Sequence, residues 1–350
     1  MARCQTSISL PPLKREITIA GGGLAGLSLA VALRNREVPV TVLEAGTYPR
    51  HRVCGEFISG VSAETLATLG IDELFTQALS HHTLAWYDRG RLLLHDRLKN
   101  PAIGISRHLL DERIHDRVVA LGGDVKTGER ARPAPQDGLV WAAGRRPRNG
   151  PWIGLKAHVR HTKFAADLEM HTGNNGYAGL AGVENGWTNV CGLFQIDRSI
   201  QAHGAALLPA YLDAGGNPLL AATLKTSEWR EGSFSAMAGF ELGRQTPLPG
   251  IMCLGDAESM IPPFTGNGMS MAFEAAECAL APLVAWAQGE MAWQKVINRV
   301  RARLTQKFSL RLKVAGALHP ILLKSGGRSV IQQLASARLL PFQTMLALTR

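Results

Sequence analysis

The stretch that decides the fold runs from Glu16 to Glu44, EITIAGGGLAGLSLAVALRNREVPVTVLE. EITIA is short, apolar and β-branched, as a buried parallel strand should be. Gly21-Gly22-Gly23-Leu24-Ala25-Gly26 then turns into Leu24–Arg34, whose apolar and small residues suit a packed helix. PVTVLE reads as a second strand ending in Glu44. This is a β-α-β unit of about thirty residues with a GxGxxG turn. Gly21 permits the tight turn, Gly23 lets the backbone approach a pyrophosphate, and Gly26 lets helix and strand pack closely. The free N–H groups of Leu24 and Ala25 at the helix start suit phosphate. Glu44, eighteen residues beyond Gly26, can accept from ribose hydroxyls. The unit predicts a dinucleotide site, where a lone glycine-rich turn would predict only a turn.

Further along, Val61–Leu69 reads as a short helix and Thr83–Leu98 as two strands about Asp88-Arg89-Gly90. Arg107–Leu121 is helical, and Leu139–Ala142 is another buried strand. From Trp152 to Phe240 the chain turns strand-like, broken by Asn, Gly and His, which predicts a mixed or antiparallel sheet. GIMCLG (250–255) returns to a buried strand, followed by a Pro- and Gly-rich loop and a helix over Met269–Trp286. The expected fold is α/β: a Rossmann-type nucleotide-binding domain with a parallel sheet, interrupted by a sheet domain for substrate, with a helical C-terminal segment. The first domain takes residues 1–80, 101–150 and 245–290, the second 81–100 and 151–244, and the segment 291–350.

Gly255-Asp256, followed by Pro263-Phe264-Thr265-Gly266-Asn267-Gly268 and a helix starting at Met269, resembles the para-hydroxybenzoate hydroxylase-like flavoproteins. That superfamily includes aromatic hydroxylases and geranylgeranyl reductases. The resemblance implies FAD, with Asp256 on the ribityl chain and the loop from Pro263 through Gly266, Asn267 and Gly268 along the flavin ring. The helix start at Met269 would stabilise negative charge on the reduced ring. Arg107 in Arg107-His-Leu-Leu-Asp111 resembles the RxxLD helix start, whose arginine reaches the cofactor. Arg52-Val-Cys54-Gly55 resembles the basic-x-Cys-Gly loop of the reductases, which makes Cys54 a proton donor or a packing residue. Gly176-Tyr177 and Asn189-Val190-Cys191-Gly192 fall where the reductases carry a Tyr-x-Trp-x-Phe-Pro strand, whose Trp and Phe-Pro are absent here.

Other departures narrow the chemistry. Where many hydroxylases have Asp-Gly, used with FAD and NAD(P)H, this chain has Ala143-Gly144-Arg145-Arg146. Direct reduction by NAD(P)H is therefore less secure, and a partner reductase is an alternative. The His usual after the Gly-Asp-Ala stretch is Ser259, and the Trp and Ile-Pro of flavin halogenases do not follow Trp152-Ile153. The resemblance favours a monooxygenase working through a flavin C4a-hydroperoxide on a hydrophobic or aromatic small molecule. The alternatives are a reductase or dehydrogenase of a prenyl- or lipid-like alkene, and a non-catalytic nucleotide-binding carrier. Lys156, His158, His81, His82 and Glu258 are available acids and bases; Lys156 and His158 could face the pocket, with surface placement their default.

Composition bounds the rest. With 46% hydrophobic and 19% charged residues, the 350-residue chain is ordinary globular protein. No apolar run of about 18 residues suggests a spanning helix, and MARCQTSISLPPLKRE is not a convincing export signal. Five scattered cysteines point to reduced thiols and the cytoplasm, with no metal site. Eleven of the 38 Lys and Arg lie in residues 291–350, which hold none of the 28 Asp and Glu. The net charge of +10 therefore belongs to that segment. Ile297, Val300, Leu304, Phe308, Leu312 and Ala315 recur at helical steps, with basic residues between them. No nucleic-acid motif is present, so the segment is expected to pack on the body with a solvated basic face, to touch an anionic membrane from its inner side, or to guide an acidic substrate or carrier. It is expected to tune access to an apolar or anionic partner and to take no part in the chemistry.

Overall fold

The computed structural model describes residues 14–146, 148–162 and 164–349. Most of the N-terminal stretch MARCQTSISLPPLKRE, including Cys4, lies outside them. In chain order the elements begin β1 (Ile17–Ala20), α1 (Leu24–Arg34), β2 (Val40–Glu44), β3 (Phe57–Ile58), α2 (Ala63–Leu69), β4 (Leu79–Asp88), β5 (Arg91–Gly104) and α3 (Arg107–Ala120). Next come β6 (Asp124–Thr127), β7 (Leu139–Trp141), β8 (Trp152–Arg160), β9 (Leu168–Thr172), β10 (Gly176–Gly182) and β11 (Thr188–Gln195). They continue with α4 (Leu207–Ala214), α5 (Pro218–Thr226), β12 (Glu228–Trp229), β13 (Ser235–Ala238), β14 (Gly243–Arg244), β15 (Met252–Cys253) and β16 (Ser259–Met260). The chain closes with α6 (Gly268–Ala287), α7 (Trp293–Leu323), α8 (Ser325–Ser336) and α9 (Phe342–Leu348).

The first sheet is parallel, in the order β15-β7-β1-β2-β6. Crossing from β1 to β2 through α1, and returning late through β15, gives the interrupted doubly wound layout that the sequence predicts. Helices α1, α3 and α6 bury their apolar faces with this sheet in one core. The second sheet is mixed, in the order β12-β8-β11-β10-β9-β4-β5-β3, with β9 parallel to β4 and the other pairs antiparallel.

Three readings need correction. The β4–β5 hairpin extends to Gly104 instead of stopping at Leu98, because Ala102 and Ile103 still pair across to His81 and Ser80. Helices α4 and α5 interrupt the stretch that reads as strand, and their leucines cover Leu155, Ala157 and Val159 of β8. The apolar run of α6 does reach the length and hydropathy of a membrane span, but most of it is buried in the core beneath α1 and α7.

The basic segment packs as a helix. Ile297, Val300, Leu304, Phe308 and Ala315 of α7 join the first core. Arg311, inside the same stripe, is buried and paired at 2.6 Å with Glu274 of α6. Arg328 of α8 is buried against Asp88 at 3.4 Å, and Gln343 of α9 donates to Asp96 at 2.7 Å, so both helices are tied to the β4–β5 hairpin. Part of the segment's positive charge is therefore internal. Phe308→Ala should lower unfolding free energy by about 3–5 kcal/mol, whereas Leu310→Ala on the exposed face of α7 should change it by about 0.5 kcal/mol or less, read from urea midpoints.

Candidate functional site

The glycine turn shows three separate demands. Gly21 sits at φ +109°, and a Cβ there would lie 2.3 Å from the carbonyl oxygen of Ala142. A Cβ on Gly26 would lie 2.0 Å from the carbonyl oxygen of Gly21. At Gly23 the position is open, with Arg107 Nη2, 4.0 Å away, the nearest atom. Gly23 is also the N-cap of α1 and supplies no side-chain cap, so the first-turn N–H groups of Leu24, Ala25 and Gly26 have no side-chain acceptor. An open face before an uncapped helix start is what an incoming phosphate needs.

Two arginines are aimed at this face by one carboxylate. Asp111, fully buried on α3, accepts from Arg107 Nε at 2.6 Å and from Arg52 Nε at 3.0 Å. Arg52 also donates to the carbonyl of Gly22 at 3.3 Å. Glu44, at the end of β2, accepts from the N–H groups of Gly22 and Gly46 and from Arg50, each at 2.8 Å. Burial alone would raise its pKa, but Arg52, the Gly46 N–H and Arg50 together hold it below the usual carboxylate value. Asp256, in a 3-10 turn after β15, keeps exposed surface although protein crowds around it, the setting of a cleft wall. Desolvation raises its pKa, with Arg107 and Arg145 pulling against it.

The loop expected along the flavin ring makes a 3-10 turn over Pro263–Thr265, and Gly266 follows at φ +67°. A Cβ on Gly266 would lie 2.1 Å from the ring of Phe57, so the glycine is needed for this packing. Asn267 is fully buried and donates to the carbonyls of Thr265 and Thr349. Gly268 opens α6 with free space before it, and Met269 is buried behind it. The donor set thus suits a dinucleotide: open glycines at two helix starts, arginines between them, and a carboxylate at each end.

Beside this loop lies a cavity of about 160 Å³. Cys54, Gly55, Phe57, Pro263, Phe264 and Thr265 form its floor. Leu84, Trp86 and Leu98 of the hairpin, with Tyr177, Gly179 and Leu193 of the sheet, form two further sides. The remaining side belongs to the C-terminal segment: Leu318 and Leu322 of α7, Phe342, Met345 and Leu346 of α9, and Thr349. The segment expected to tune access without taking part in the chemistry is one of the cavity's walls. An apolar cavity of this size is close to the volume that holds a benzene-sized guest. Burial pushes the Cys54 thiol pKa up, with Arg107 pulling against it, so the thiol keeps its proton.

Lys156 and His158 contradict the default surface placement, for both are fully buried. Strand β8 alternates: Leu155, Ala157 and Val159 enter the core beneath α4 and α5, and Lys156 and His158 turn the other way, toward residues 51–56. There Glu56, also fully buried, meets Lys156 Nζ at 3.3 Å and His158 Nε2 at 2.5 Å. Lys156 Nζ is also 2.9 Å from His51 Nδ1. His51, Glu56 and His158 bring their ligand atoms within 4.8 Å of one another, and the Lys156 ammonium already sits beside them as the neutralising cation. Glu56 adopts φ +55°, an unusual conformation for a residue with a side chain, held by these contacts and by the Arg107 N–H at 3.1 Å. The one sequence signal for this cluster was the polar period of two at 156 and 158. His81 bonds to the carbonyl of Gly182, and Glu258 pairs with Arg244, so neither joins the cluster.

Comparisons with known proteins bear on the fold. The profile of the pyridine nucleotide-disulphide oxidoreductase family matches residues 16–81. A search of curated protein sequences finds no match. Among solved structures, PqsL from Pseudomonas aeruginosa in complex with 2-aminobenzoylacetate is 16% identical, with a TM-score of 0.71 over 91% of this chain and 100% of that one. The flavin-dependent brominase Bmp2 is 15% identical, with a TM-score of 0.74 over 96% of this chain and 94% of that one. A geranylgeranyl bacteriochlorophyll reductase-like protein from Thermoplasma acidophilum is 14% identical, with a TM-score of 0.73 over 95% of each chain. The chain shares its fold with these solved proteins over nearly its whole length.

Two measurements follow from the site. Asp256→Ala should lower FAD occupancy of the purified protein well below that of Ser259→Ala, because the Asp256 carboxylate keeps exposed surface whereas Ser259 is buried; equal occupancy would remove Asp256 from the site. His319 of α7, stacked on Phe264 and tilted against Trp152, has its pKa lowered by burial to about 4. The unfolded chain binds that proton near pH 6.5 and the folded one does not, so its contribution is complete above pH 6.5 and is lost as pH falls toward 4. The melting temperature should therefore fall less between pH 7.5 and 5 in His319→Phe than in the unmodified protein.

Proposed function

We propose that this protein is an FAD-dependent monooxygenase acting on a small apolar or aromatic substrate. The observation that carries the reading is the apolar cavity of about 160 Å³, floored by the Pro263–Thr265 loop and Cys54. When bound, FAD would supply the electrons and the centre that activates oxygen. The protein's own residues do the rest. The uncapped start of α1 with Arg107 and Arg52 would hold the pyrophosphate, Glu44 the ribose, Asp256 the ribityl chain, and the loop from Pro263 to Gly268 the ring. Glu44 must exchange one of its present donors for a ribose hydroxyl, and half-buried Arg50 is the most accessible of them. Leu84, Trp86, Leu193 and the C-terminal leucines exclude water and orient the substrate by shape.

A second reading, reduction of an apolar alkene, is supported by Cys54. Its thiol lies in the cavity wall and keeps its proton through burial, as a donor to carbon would need. The electron donor is open under both readings. Ala143 stands where a carboxylate would serve NAD(P)H, and Arg145 and Arg146 follow it, donating to the carbonyls of Gly239 and Thr246. NAD(P)H or an acidic partner reductase would both meet this basic stretch.

The experiment is anaerobic mixing of the flavin-loaded protein with NADH and NADPH, with and without candidate substrates, followed by oxygen. Slow reduction by free NAD(P)H that speeds up with substrate is expected, and then oxygen incorporation into the product. Reoxidation by an alkene without oxygen would instead establish the reductase reading. A purified protein that takes up no FAD would sink both.

A further inference from the structure

The cavity-lining helices have an outer face that the cofactor site does not explain. From Leu310 of α7, helical steps of about 100° per residue place Lys295, Arg299, Arg303, Lys313 and Ile321 within roughly 60° of the same direction. They follow one another at steps of four, four, seven, three and eight residues. The buried stripe from Ile297 through Phe308 to Ala315 points to the other side. Lys295, Arg299 and Lys313 are exposed and make no ion pair among the described residues. The nearby acids, Glu274 and Glu277 of α6, are engaged beneath by Arg311 and Lys307.

The same segment exposes apolar side chains. Of the ten exposed large hydrophobics among the described residues, five lie in the last 41 positions: Leu310, Ile321, Val330, Leu339 and Leu348. Leu310 is 63% exposed and Leu339 68%. Cations interleaved with exposed aliphatic side chains, with no acid for sixty residues, complement a surface that is anionic outside and apolar just below. A soluble acidic protein would match the cations but not the leucines.

We infer that the outer face of α7, continued by α8 and the α8–α9 turn, docks on an anionic lipid bilayer. The docked face backs directly onto the cavity, because Leu318, Leu322 and Leu346 of the same segment line it from within. An apolar substrate dissolved in the bilayer would then lie one helix-thickness from the site. The inference stands independently of the flavin chemistry.

Flotation of the full chain with vesicles tests it, using phosphatidylglycerol–phosphatidylcholine mixtures and phosphatidylcholine alone, at low and high salt. The protein should float with the anionic vesicles at low salt, stay behind with the neutral ones, and be released by high salt. Each cation removed should weaken partitioning about fivefold, so Lys295→Ala, Arg299→Ala and Lys313→Ala together should weaken it on the order of a hundredfold. Leu310→Ser with Ile321→Ser should weaken it at both salt concentrations. Unchanged circular dichroism and flavin content would show that these exposed changes leave the body intact. Absence of anionic-vesicle binding, equal binding to both lipids, or full binding by the triple variant would each overturn the inference.

Discussion

The buried carboxylate of Asp111 holds the site together. It lies between the guanidinium groups of Arg52 and Arg107, and so pins residues 50–56 against the start of α1. Two residues past Cys54 the same loop ends in Glu56, which crosses to Lys156 and His158 on the second sheet. The dinucleotide cleft, the cavity floor and the sheet above it are therefore linked by one short segment and two buried charge clusters. Removing one member of such a cluster leaves a charge stranded in the interior, at a cost of about 3–5 kcal/mol. Such a clamp fixes geometry more than it adds stability, and the strained backbone of Glu56 is consistent with a position set by its partners.

The second sheet serves the site through alternation. Lys156 and His158 of β8 sit opposite Cys191 and Asn189 of β11, and Gly154 sits opposite Leu193. Along this face the surface passes from charged to small to apolar. The charged end meets residues 51–56, and the apolar end, with Tyr177 and Leu193, roofs the cavity. The C-terminal helices close the remaining side, so the cavity is lined by all three regions of the chain.

Much of the fold was legible in the sequence because its demands are local. Gly21, Gly23 and Gly26 each answer to a turn or a close approach within a few residues, and Leu24–Arg34 has no competing period. The open, uncapped start of α1 was legible for the same reason. Helices α4 and α5 were hidden because Leu207–Ala214 and Pro218–Thr226 are short and lie within a strand-rich stretch whose Gly and Asn suggest more turns. The Glu56–Lys156–His158 cluster was hidden because its members lie about a hundred residues apart, and a strand with one polar face reads the same whether that face meets water or protein. The wall formed by α7 and α9 was hidden for a related reason. Amphipathic periodicity shows that a face is buried, but not what lies beneath it.

The account rests on Gly23 facing a ligand and not the protein interior. Its backbone, at φ −91° and ψ −175°, suits any residue, and its Cβ direction is open to 4.0 Å. Gly23→Val should therefore fold with the same flavin-free melting temperature as the unmodified protein, yet show no binding when the apoprotein is titrated with FAD and followed by flavin fluorescence. Normal FAD binding by the folded variant would contradict the account.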